Sequence, residues 1–127
     1  MGQLLIQRGS SGGTGGGSSF TWTEVTGTSQ SMSGDNGYIA SNSALVTFTL
    51  PTTIVLGKPM RISGKGSGGW KLAQNASQIV HFGTVDTTSG TGGSLQSSNR
   101  YDCIEILCIT ANTDFIVLSV QGNVTIV

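Results

Sequence analysis

From Phe20 onward, clusters of Gly, Ser, Asn, Asp and Pro interrupt the chain roughly every 8–12 residues. Between these breaks lie short runs rich in Val, Ile, Thr and Phe. Within them apolar and polar residues tend to alternate, the period of a strand with one wet face. No window carries an apolar stripe at helical spacing. Such punctuation leaves no length for helices and predicts an all-β fold of short antiparallel strands, arranged as a sandwich or β-prism.

The predicted strands are Phe20 to Met32, Tyr38 to Ala40, Leu45 to Leu50, Thr52 to Leu56, Met60 to Gly66, Trp70 to Asn75, Ser77 to Gly83, Tyr101 to Thr110, Phe115 to Val120 and Val124 to Val127. Turns are predicted at Ser33 to Gly37, Ser41 to Ser43, Gly66 to Gly69 and Ala111 to Asp114, with a long polar loop at Thr87 to Ser94.

The chain has 127 residues, enough for one domain. Residues 9–19 contain only Gly, Ser and Thr, the composition of a flexible linker. The expected division is therefore an N-terminal segment and linker over 1–19 and a β-rich domain over 20–127. The stretch Gln3 to Arg8 reads as a small strand or docking peptide.

Only 9% of the residues are charged and the formal net charge is zero. That balance gives no attraction to nucleic acid or to an anionic membrane surface. No run of 18 apolar residues exists, so no membrane-spanning helix is expected. The apolar run Leu4 to Ile6 is too short for the core of a secretion signal.

Cys103 and Cys108 lie five residues apart in one predicted strand and so face opposite sides. Five strand steps span roughly 16 Å, whereas a disulfide needs Cα atoms within about 7 Å. Two free thiols are expected.

The strong strand Tyr101 to Thr110 is apolar on both faces. Ile104, Ile106 and Cys108 lie on one; Cys103, Leu107 and Ile109 lie on the other. Strands of that kind need cover on both sides, from a second sheet or from neighbouring subunits. Glu105 shares the Leu107 face, which marks that face as the one to meet water or a partner.

Candidate chemistry is sparse. The single histidine, His81, has no GxSxG-type nucleophile elbow to serve. Its expected role is structural, or lining the axis of an oligomer. The six carboxylates suggest no glycosidase pair. The glycine-rich runs at 64–69 and 89–94 lack the Gly-Lys-Ser/Thr ending of a phosphate loop. Neither catalysis nor a cofactor or metal is expected.

Sugar binding is the open option, because an aromatic ring can cover the apolar face of a sugar while amides, carboxylates and Arg hold its hydroxyls. Trp22, Tyr38, Trp70 and Tyr101 are the candidate rings. Asn99, Arg100, Tyr101 and Asp102, where a polar loop meets a strand, form the leading candidate site together with Trp70.

Taken in order, Trp22-Thr23, Gly37-Tyr38, Leu50-Pro51, Gly64 to Trp70, Ala73-Gln74-Asn75, His81-Phe82-Gly83, Gly90 to Leu95 and Gly122-Asn123 carry a likeness. Residues 20–127 resemble the C-terminal tip domain of phage tail-fibre-like proteins and bacterial trimeric adhesive fibres, including the mosaic adhesive trimers of predatory bacteria. The resemblance implies an intertwined homotrimer on a phage tail fibre or an extracellular bacterial fibre. Recognition of a cell-surface glycan or other receptor, by avidity of three copies, is the expected function, although the resemblance itself implies no ligand. It carries no binding residues. The alternatives are a purely structural trimerisation cap and a polysaccharide-degrading spike.

Overall fold

The computed structural model describes residues 20–127. Expectations for residues 1–19, including the docking peptide and the linker, lie outside the described residues. Among the described residues there are twelve strands and no helix.

They are β1 (Thr21–Val25), β2 (Ser29–Ser31), β3 (Asn36–Ala40), β4 (Val46–Thr49), β5 (Pro59–Gly64) and β6 (Trp70–Ala73). There follow β7 (Ile79–Phe82), β8 (Val85–Asp86), β9 (Ser94–Ser97), β10 (Cys103–Thr110), β11 (Asp114–Gln121) and β12 (Val124–Ile126). Seven form one sheet in the order β1-β3-β5-β10-β11-β7-β8. The other five form a second sheet, β12-β9-β6-β4-β2.

The core lies between the sheets. Tyr38, Met60, Ile62, Ile104, Ile106 and Phe115 come from the first sheet, and Phe48, Trp70, Leu72 and Leu95 from the second. The rings of Tyr38 and Phe48 meet across the gap with centroids 5.6 Å apart. Period-two alternation delivers these residues inward: in β4 Val46 and Phe48 are buried while Thr47 and Thr49 are not.

The expectation of antiparallel strands is corrected. Half of the strand pairings are parallel: β1 with β3, β3 with β5, β2 with β4, β4 with β6, and β7 with β11. The cause is the path of the chain. From β1 to β6 it alternates between the sheets, so each strand returns beside the one two before it, pointing the same way. A crossover is what a parallel pair requires; here the crossing is made by a strand of the opposite sheet. The result is three stacked coils of a two-layered solenoid. The later strands close it with antiparallel pairs, β5 to β10 and β6 to β9.

Four local expectations also change. The run Phe20 to Met32 is two strands in different sheets, because the chain crosses over at Thr26 to Thr28. Gly37 belongs to β3 and not to the preceding turn. Thr52 to Leu56 is not a strand. Only Ile54 of that run is buried; its backbone N–H donates to the Asn112 side chain at 2.7 Å, and its carbonyl accepts the Asn112 N–H at 3.0 Å. Ser94–Ser97, expected as the end of a loop and the residues after it, is β9, paired on both sides by β6 and β12.

Candidate recognition surface

The outer face of the seven-stranded sheet can be read row by row from its pairing. Trp22 lies opposite Gly37, Gly37 opposite Arg61, Arg61 opposite Glu105, and Glu105 opposite Ser119. Ser63, Cys103 and Gln121 form part of the next row. Together these rows enclose an open groove of about 310 Å³, with Trp22 on one wall and Ser119 and Gln121 on the other.

Gly37 explains how Trp22 sits there. A Cβ on residue 37 would fall 2.6 Å from the indole ring, so the ring lies flat across β3 where any side chain would stand. Trp22 remains 45% exposed. Phe20 packs edge-on to it at 5.9 Å. The Arg61 guanidinium lies 4.5 Å from the Phe20 ring centroid and donates to Glu105 at 2.9 Å. Its charge is thus balanced within the groove.

The same face changes character along β10. Leu107 is opposite both Pro59 and Ile116, and Ile109 is exposed at the strand end. The loop carrying Leu56 runs beside that end, since the Gly57 N–H donates to the Cys108 carbonyl at 2.7 Å. Val55, Leu56 and Ile109 are 60%, 69% and 41% exposed. One half of the sheet face is therefore an aromatic and polar groove, and the other half is aliphatic.

The residues singled out from sequence divide into two groups. Trp70 is fully buried, and its indole N–H donates to the Asp102 carbonyl at 2.8 Å. Asp102 is buried too, and its carboxylate accepts the N–H groups of Ser98 and Asn99 at 2.9 and 2.8 Å. A Cβ on residue 122 would meet that carboxylate at 1.9 Å, and Gly122 has φ +95°. Both residues brace the corner from inside, which corrects their assignment as ligand contacts. Tyr38, buried with its hydroxyl accepting the Ser33 N–H at 2.8 Å, is structural as well.

Asn99, Arg100 and Tyr101 are exposed at this corner. Arg100 donates to the Lys65 carbonyl at 2.9 Å and lies 5.3 Å from the Tyr101 ring centroid. Tyr101 directs its ring to solvent, 66% exposed, two residues before the groove residue Cys103. Sequence reasoning named Trp22 among four rings but missed its groove; the available signal was a glycine inside a strand, the mark of close approach. Both cysteines are free. Burial pushes the Cys108 thiol pKa up, against the backbone groups of Asn112 and Thr110, which lower it.

His81 lies at the far edge of this sheet. Nδ1 meets the Asp86 carboxylate at 2.7 Å and Nε2 meets Asp114 at 3.2 Å, so its two nitrogens hold β8 and β11 onto β7. Hydrogen bonding to Asp86, then to Asp114, raises the His81 pKa above its ordinary 6.5. A raised pKa means that the folded state favours the imidazolium. Its stabilisation is complete below the ordinary value and is lost as pH rises through the folded value. Thermal melts taken from below the ordinary value upward are therefore expected to show wild-type losing stability relative to His81→Gln as pH rises above it. Parallel curves would refute the clamp.

Comparison of the chain with protein-family models and with curated proteins finds no match.

Proposed function

We propose that this chain is a non-enzymatic tip domain of a phage-type or bacterial surface fibre, working as a homotrimer that recognises a cell-surface receptor, foremost a glycan. The observation that carries the reading is the division of one sheet face into an aliphatic half and a groove. Leu56, Leu107 and Ile109 offer a surface that gains from being covered. Contact between copies through that half leaves the grooves uncovered, and three identical weak sites then act together. Among the described residues β1 and β2 are the end strands of their sheets, which adds a reason for association, since open edges invite pairing.

Light scattering at several concentrations tests the assembly. The expected species has three times the 13.0 kDa of one chain. The double variant L56D/I109D is expected to be monomeric with an unchanged circular dichroism spectrum. A wild-type monomer at all concentrations would remove the trimer. A stable trimer that retains nothing on a glycan array would favour a purely structural cap.

A further inference from the structure

We infer that the groove beside Trp22 is a saccharide subsite for an uncharged pyranose unit, with the indole as its stacking platform. This rests on the reading of the chain as a glycan-recognising domain, and adds the place and the ligand class.

The ring comes first. Trp22 lies flat over a strand because residue 37 has no side chain, so a broad apolar plane faces the groove with little freedom to turn away. An apolar plane held in water suits the C–H face of a sugar ring, because covering it removes apolar area from solvent.

Polar groups come second. Ser63, Ser119 and Gln121 line the groove, and within the described residues their side chains make no hydrogen bond. Hydroxyls and a carboxamide both donate and accept, as sugar hydroxyls do.

Charge decides the class. Arg61, the cation of the groove, is bound to Glu105 and stacked on Phe20. An anionic sugar would have to break that pair and then lie beside the freed carboxylate. A neutral ring meets no such opposition. The volume, about 310 Å³, is at the small end for ligand sites and suits a short saccharide rather than a long chain.

The test uses the full chain. A panel of neutral methyl hexopyranosides, neutral oligosaccharides, and sialylated and sulfated glycans is titrated by calorimetry for every variant, and in the wild type the Trp22 indole NMR signal is followed as well. Neutral sugars are expected to shift that signal, and sialylated and sulfated ones to leave it unmoved. Trp22→Ala is expected to weaken binding about tenfold or more. Gly37→Val, which keeps every polar group but displaces the ring, is expected to weaken binding as much. Tyr101→Ala leaves it unchanged.

Glycan binding that survives Trp22→Ala but is lost in Tyr101→Ala overturns the groove while leaving glycan recognition standing. A preference for anionic glycans overturns the ligand class. Absence of any glycan binding by a well-folded trimer overturns both readings. Melting curves for each variant separate lost binding from lost fold.

Discussion

Trp70→Ala is expected to destabilise the domain by about 3–5 kcal/mol, the cost of a large cavity in a packed core. Trp70 sits at the start of β6, fully buried. Its loss removes apolar burial and takes from the Asp102 carbonyl one of its two donors, leaving only the Gly64 N–H. A domain of this size has a total stability of roughly 5–15 kcal/mol, so the variant should be near its unfolding threshold at ordinary temperature. Urea denaturation followed by circular dichroism measures it. Trp70→Phe is the control: it keeps most of the volume and loses the hydrogen bond, so it should cost less. If alanine costs under about 1 kcal/mol, the corner is not braced as described.

Gln78→Leu is the second large effect, and it is polar in origin. Gln78 is 1% exposed. Its amide nitrogen donates to the carbonyls of Pro51 and Asn112 at 2.8 and 3.0 Å, and its amide oxygen accepts the Asn75 N–H at 2.8 Å. Leucine matches the size but serves none of the three backbone groups. Each buried group left without a partner costs about 1–3 kcal/mol, and water access should reduce the total to about 3 kcal/mol. Hydrogen exchange should show faster opening at Asn75. Gln74 stands next to this network, donating to the carbonyls of Gln78, Thr88 and Gly90. An unchanged denaturation midpoint in Gln78→Leu would show that this buried amide contributes nothing.

Much of the fold was legible in the residues. β10 and β11 stand out as the longest apolar runs, and the turn predicted at Ala111 to Asp114 falls between them, except that Asp114 already belongs to β11. The inward face of β10, Ile104, Ile106 and Cys108, is buried, and the Glu105 face meets solvent. The candidate site was legible only in part. Trp70 directly follows the turn Gly66 to Gly69, a place that suits an exposed ring, yet those glycines let the chain turn a bulky residue into the core. Gln74 and Gln78 showed no apolar signal at all, although both are buried.

Period-two alternation and turn residues determined, without coordinates, that this chain makes short strands with one inner face. Both are local properties that side-chain volume and backbone freedom set within a few residues. Pairing was decided only in the tertiary structure. Alternation places a side chain on a face but does not name the neighbouring strand, and a parallel partner satisfies it as well as an antiparallel one. The alternation of β1 to β6 between two sheets, the seat of Trp22 on Gly37 and the burial of Trp70 against Asp102 all arise from that pairing. They join residues 15 and 32 positions apart, a separation that no local rule of sequence spans.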